Sequence, residues 1–390
     1  MTARFVLQRV LPISPEVTWR LITEPSQMNR WSTAAISANA AGVYDRMDAV
    51  GALRHVDLPY QMGRLREVVE YNVYPRIFRY RVYDGGPLLI AHHGEQRIAD
   101  HPTGCVLTWA VELDLISGVA SHALARVIRH QVSESLDTMV EIAASGPPLP
   151  GDGPPALSPP PMDRLAISDL ITAARRCLDD QRATADRLAA AGDPKQWFAR
   201  VYQYVTEEMI SAVDGDSPLP LGNPDWVMTL IPTFHDYFRR NLDSYERDEP
   251  TEHAWQIAWS TCEEHNPNKP FLPVMKGLLA GVSAHIDADL PRALADVALE
   301  HYPDRDLREF RSDYLRLAPI FTTASERLLA DLPRDHKPWW TPAATRVHPQ
   351  LRDALLARNG YHVGRHRVRA FAEAVKSVQA ISRERAISSN

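Results

Sequence analysis

A chain of 390 residues, 45% hydrophobic and 24% charged, has ordinary globular composition and enough length for two cores. Its net charge of −6 argues against a dedicated nucleic-acid binder. Three scattered cysteines, Cys105, Cys177 and Cys262, form no Cys-x-x-Cys pair, which excludes a zinc ribbon or disulfide framework and fits a reducing compartment.

The start, Met1 to Phe5, lacks the charged-then-apolar layout of a signal peptide. No apolar run approaches the roughly 18 residues that span a bilayer. A cytoplasmic protein without a membrane span is expected.

Arg4 to Leu11 alternates like a strand. Ser14-Pro15-Glu16 then opens a helix, with serine as N-cap and proline at the first helical position. The helix ends near Thr23, and a second short helix spans Gln27 to Trp31. Leu65 to Tyr71, Ile77 to Tyr83 and Val106 to Leu113 are strand-like, punctuated by Pro75, Gly85-Gly86 and the Asp100 to Gly104 turn. Val119 to Ala143 predicts one long helix, with Ala120, Leu124, Val127, Ile128, Val132, Leu136, Met139 and Val140 on one face.

The period of two assigns faces to these strands. Leu107, Trp109, Val111 and Leu113 share one face; Phe78, Tyr80 and Val82 share another, opposite Arg79 and Arg81. Ile90, His92, Gly94, Gln96 and Ile98 fall together, which aims His92 and Gln96 inward. Glu67 is the polar member of the Leu65, Val69, Tyr71 face, and Arg54 lies between Ala52 and Val56. Arg54, Glu67 and His92 are therefore the candidate catalytic residues, with Phe78, Tyr80, Gln96 and Trp109 as ligand-binding walls. A dehydrative or aldol cyclisation needs a base near a carbonyl's α-carbon and a donor for the oxyanion. His92 or Glu67 fits the first role and Arg54 the second.

The order of strand, two short helices, antiparallel sheet and long closing helix is the helix-grip layout. The stretches ISPEVTWRLITEPSQMNRW, VGALRHVDLP, REVVEYNVYPRIFRYRV and GCVLTWAVELD carry a resemblance to the polyketide cyclase/dehydrase and lipid-transport (START-like) superfamily over residues 3–145. The resemblance implies a cavity between sheet and helix that takes a hydrophobic, polyketide- or lipid-like small molecule. That superfamily shares no catalytic motif, so no role is carried over residue by residue.

Residues 146–163, GPPLPGDGPPALSPPPMD, read as a semi-rigid linker, because proline fixes φ and removes backbone donors. Residues 1–145 then form an α+β helix-grip domain and 164–390 an all-α domain. The helical segments are expected at Asp163–Ala191, Pro194–Asp214, Asp225–Tyr245, Glu252–Glu264, Leu272–Val282, Leu290–His301, Arg308–Leu332 and Val363–Arg383.

Within them, WFARVYQYVTEEMI, FHDYFRRNL, AWQIAW and GLLAGVSAHIDADLPRAL resemble a bacterial all-helical family of unknown function over a core of 194–330. Its hallmark is Gly-x-x-Ala-His-Ile-Asn/Asp-x-Asp-Leu; Ser283 and Asp287 stand where that family commonly has asparagine. His285 and Asp289 lie four apart, hence on one helical face. With His235 and Asp236 they compose a candidate divalent-metal cluster, the basis of an alternative reading as a metal-dependent hydrolase. The structural alternative has Asp287 or Asp289 capping the helix before Pro291, with His285 bonded to it. No other cofactor is expected: phosphate loops and nucleophile elbows are missing from the sequence. A third reading is a non-enzymatic pair of binding modules.

Residues 334–390 carry eleven Lys and Arg against four Asp and Glu. Their helix at 363–383 is expected to pack a face of Val368, Phe371, Ala372, Val375 and Val378 onto the acidic body.

Overall fold

The computed structural model describes residues 2–59, 63–145, 166–264, 271–337 and 363–388, and the chain divides into two units, Met1–Pro161 and Met162–Asn390. The linker expected over 146–163 lies outside the described residues.

In the first unit, alternating segments pair into one seven-stranded antiparallel sheet of order β1-β7-β6-β5-β4-β3-β2. The strands are β1 (Ala3–Leu11), β2 (Ala35–Ala40), β3 (Leu53–Asp57), β4 (Arg64–Val73), β5 (Ile77–Asp84), β6 (Leu89–His101) and β7 (Gly104–Leu115). Helices α1 (Pro15–Thr23) and α2 (Pro25–Met28) follow β1, and α3 (Gly118–Ser145) closes the unit. The Ser14 hydroxyl accepts from the Val17 amide at 3.4 Å, and Pro15 opens α1 as expected. Gly104 begins β7 at φ 145°, where an added Cβ would lie 2.2 Å from the Leu11 carbonyl oxygen. Only glycine lets the β6–β7 turn pass so close to the end of β1.

The core gathers the inner faces of the strands against α1 and α3. Trp19, Ile22, Trp31, Phe78, Leu107, Leu136 and Met139 belong to it, each nearly or fully buried. The α3 stripe is narrower than expected: Val132, Leu136 and Met139 are buried, but Val127 is 45% exposed. In the first turns of α3, Ala120, Leu124 and Ile128 are half-buried against Ala3, Leu113 and Leu115, and polar contacts add to this packing. The Ser121 hydroxyl accepts from the Leu115 amide at 2.9 Å and donates to the Ser117 carbonyl.

Four ladder irregularities break the strict alternation: at Ala38/Ala40 on β2, at Arg66/Glu67 and Val69/Tyr71 between β4 and β5, and at Leu89/Ala91 on β6. A bulge inserts one unpaired residue and re-aims the side chains beyond it. Val68 and Val69 are therefore both buried, whereas Tyr71 and Ile90, expected inward, are 44% and 46% exposed.

The second unit is all-helical: α4 (Ile167–Ala190), α5 (Gln196–Asp214), α6 (Pro224–Glu246), α7 (His253–Glu263), α8 (Phe271–Ser283), a π-helical segment Ala284–Asp289, α9 (Leu290–His301), α10 (Arg311–Arg316), α11 (Ala318–Asp331) and α12 (Val363–Ser388). The expected single helix over Arg308–Leu332 is divided at Leu317, because Pro319 has no N–H to continue the ladder. Phe198, Phe238, Trp255 and Trp259 centre the core. The face of α12 is rotated from the expected one: Arg367, Ala370, Phe371 and Ala374 are buried, while Ala372 is exposed. No described helix is long and apolar enough to cross a membrane.

Candidate functional site

The strand register of the first unit lays the candidate residues in a row across five adjacent strands. Arg54 on β3 sits directly opposite Glu67 on β4. On β5, Phe78 is paired with Gln96 of β6, and Gln96 in turn with Trp109 of β7. Tyr80 pairs with Gly94, and His92 with Leu113. All seven predicted residues are buried on the inner face, so the register that placed them inward holds at each of them.

Gly94 makes this row possible. An added Cβ would come within 2.1 Å of the Tyr80 ring, which lies flat over the glycine. The Trp109 indole N–H donates to the Tyr80 hydroxyl at 3.3 Å, and Trp31 meets Trp109 edge-on with ring centroids 6.0 Å apart. Large rings thus fill much of the inner face.

The polar groups among these rings are incompletely satisfied. Arg54 Nη2 donates to Glu67 Oε2 at 3.0 Å and Nη1 contacts the Met28 sulfur at 3.4 Å, while the guanidinium lies over Phe78 and Tyr80. Arg54 Nε, His92 Nδ1 and Gln96 Oε1 are buried with no hydrogen-bond partner. Buried polar atoms are almost always paired, so three unpaired ones on one face set this row apart from the rest of the sheet. Burial holds the His92 pKa down to about 4, helped by the nearby His93, so the ring is neutral at pH 7. A neutral imidazole has one donor and one acceptor nitrogen. Burial also raises the Glu67 carboxyl above the usual range, with Arg54 pulling the other way. Trp31, Met28 and Gly94 belong to the site but not to the sequence expectation. The signal of Gly94, a residue small enough to admit an opposing ring, needs the register to be known, and Met28 and Trp31 reach the site only through tertiary contacts with Arg54 and Trp109.

In the second unit the expected cluster of His235, Asp236, His285 and Asp289 does not assemble. His235 Nε2 is 2.9 Å from Asp180 on α4, and its Nδ1 faces Gln181 at 3.4 Å. Asp236, one residue on, is turned about 100° round the helix and is exposed. His285 Nδ1 and Asp289 do pair, at 3.0 Å. Among the described residues, no group of three or more His, Cys, Asp and Glu side chains is arranged to hold a metal ion.

The expected cap at Asp289 is also replaced. Asp289 makes no side-chain cap; it is fully buried and accepts from Trp255 Nε1 at 2.9 Å, from His285, and from Arg292 Nη2 at 2.7 Å. The helix does not break there but widens, with the Leu290 amide reaching back to the His285 carbonyl. Pro291 lacks the N–H that an α-ladder needs at that point. Asp287 faces away, to Ser283 and His366.

Residues 175–389 match the model of a Family of unknown function (DUF5995), and residues 2–144 match that of Polyketide cyclase / dehydrase and lipid transport. Both resemblances read from the sequence are thereby shown. The helical match runs past the expected 194–330 core in both directions and takes in the basic terminal helix. No curated protein matches the chain. Among solved structures, the chain is similar to a START superfamily protein from Mycobacterium smegmatis, at 14% identity and TM-score 0.31, over 36% of this chain and 97% of that one. It is similar to the di-domain ARO/CYC StfQ from the steffimycin biosynthetic pathway, at 15% identity and TM-score 0.32, over 37% of this chain and 51% of that one. The Mll3558 protein from Rhizobium loti gives 20% identity and TM-score 0.29, over 36% and 96% respectively.

Proposed function

The chain belongs to the family of unknown function DUF5995, and we propose that its N-terminal unit, which lies outside the residues matched to that family, binds a largely apolar small molecule carrying hydroxyl and carbonyl groups. One observation carries this reading: Arg54 Nε, His92 Nδ1 and Gln96 Oε1 lie unpaired and buried on one face otherwise built of Phe78, Tyr80 and Trp109. An apolar surface with a few convergent polar groups is the usual chemistry of a small-molecule site. Arg54 Nε–H donates to a ligand oxygen, and Gln96 Oε1 accepts from a ligand hydroxyl. The match of residues 2–144 to a polyketide cyclase, dehydrase and lipid-transport model supports the same class of ligand.

Turnover would use the same groups. A neutral His92 is competent to take a proton from carbon next to a carbonyl, and the Arg54 guanidinium to hold the resulting oxyanion. Binding is the primary reading, with cyclisation or dehydration its extension for a poly-carbonyl ligand.

The test is calorimetric titration of the full chain with aromatic polyketides and fatty acids, repeated with Gln96→Leu. Removing an unpaired buried oxygen leaves the fold as stable or more so, because the unmade bond no longer costs desolvation. The same change weakens a hydroxyl-bearing ligand about tenfold, the worth of one buried hydrogen bond. Unchanged affinity in Gln96→Leu, or no binding by any compound, defeats the proposal.

A further inference from the structure

The second unit contains a cavity of about 110 Å³ bordered by α5, α6, the π-helical segment, α9, α11 and the first turns of α12. On this measure roughly 10–15 Å³ already holds one water. Its walls are apolar: Val201, Val205, Met209, Leu230, Ile231 and Phe321. Water in such a place finds few partners, so an organic occupant suits it better.

Of the buried polar side chains that line this cavity, His285, Arg367 and Tyr202 each keep an unpaired atom, and Arg367 alone carries a charge. Arg367 is only 3% exposed. Its Nη2 donates to the Tyr314 carbonyl at 2.6 Å, and the guanidinium lies over the rings of Tyr314 and Phe321 at 4.3 and 4.4 Å. Nε has no partner, and among the described residues no carboxylate pairs with this cation. His285 is fixed by Asp289, which as a carboxylate only accepts, so Nδ1 carries the proton. That leaves Nε2 as a bare acceptor, and it too is unpaired. Phe234 stacks on the imidazole with ring centroids 3.5 Å apart and holds its orientation.

A buried cation without a counter-charge is expensive, and arginine does not escape by losing its proton. The missing component is an anion whose remainder is apolar. We propose that this cavity is a second binding site, for an amphiphilic carboxylate: the head group pairs with Arg367, away from the acceptor Nε2 of His285, and the aliphatic body lies among Val201, Val205, Met209 and Leu230. Carboxylate is the natural match for a guanidinium donor. Burial already pulls the Arg367 pKa below its usual value, the direction an anion would reverse. The site needs nothing from the N-terminal unit and stands apart from the reading of that unit.

The test uses the full chain with octanoate and decanoate, their matched alcohols, and a diazirine-bearing fatty acid. Calorimetry is expected to show saturable carboxylate binding, with alcohols about tenfold or more weaker, as befits loss of a charge-assisted hydrogen bond. Arg367→Met is expected to abolish that preference. Should this variant fail to fold, Val205→Phe narrows the cavity without touching the charge and is expected to weaken acids and alcohols alike. Photolabelling is expected on peptides from α5, α6 and α9. Equal affinity for acid and alcohol, absence of binding, or label confined to residues 2–145 overturns the proposal. The last result would leave the N-terminal reading standing.

Discussion

Replacing Glu67 by alanine is expected to destabilise the N-terminal unit by about 3–5 kcal/mol, the usual consequence of breaking a buried ion pair from one side. Arg54 is 1% and Glu67 5% exposed, and their charged atoms are 3.0 Å apart. At an effective dielectric of about 20, attraction at that distance is roughly 5–6 kcal/mol. Desolvation costs several kcal/mol for each ion, so the intact pair comes out near zero. The upward shift of Glu67 agrees, since burial outweighs its partner there. Deleting Glu67 removes the attraction and leaves Arg54 buried, with the faces of Phe78 and Tyr80 and the Met28 sulfur for partial compensation. Replacing both residues, Arg54→Met with Glu67→Leu, removes the charge as well as the pairing and is expected to restore stability to within about 1–2 kcal/mol of the starting protein. Hydrogen exchange by mass spectrometry in graded urea reads β3 to β6 separately from the helical unit. A single-variant loss under about 1 kcal/mol, or a double variant no better than the single, would refute a desolvated pair.

The same packing carries other expected outcomes. His92 has a folded pKa of about 4 against the usual 6.5, so the unfolded chain binds more protons between them. Its contribution is fully present above 6.5 and is lost as pH falls through about 4, by about 3 kcal/mol; acid unfolding curves of His92→Leu should lack that limb. Glu67 has the opposite sign: its raised folded pKa favours the fold at low pH and loses that advantage as pH rises above 4.5, and Glu67→Gln should flatten the effect in the same titration. Gly94→Ala drives a Cβ into the Tyr80 ring and is expected to cost about 1–3 kcal/mol by urea unfolding, a loss that shrinks in a Tyr80→Ala background. Asp289→Ala leaves Trp255, His285 and Arg292 without their shared acceptor and is expected to lower helical-unit stability by about 3 kcal/mol; a thermal midpoint unchanged from the parent would contradict this account.

Much of the candidate site was legible in the order of residues alone. A period of two is a local property, and it aimed Arg54, Glu67, Phe78, Tyr80, His92, Gln96 and Trp109 to one face. The pairing of His285 with Asp289 followed from helical geometry alone. Tyr71 and Ile90 escaped the same logic, because bulges at Val69/Tyr71 and Leu89/Ala91 change the count within a strand without changing its composition.

What the chain order and periodicity determined, then, was the kind of each element and the facing of most side chains, since both depend on neighbours a few residues away. Partners distant in sequence were decided by packing. His235 meets Asp180 and Gln181 rather than a metal cluster, because α4 lies against α6. Arg367 reads as one more cation in a basic tail, yet rotation of α12 buries it against Tyr314 and Phe321. No periodicity predicts such a choice: a buried charge is stable only through the surroundings that the whole fold brings to it.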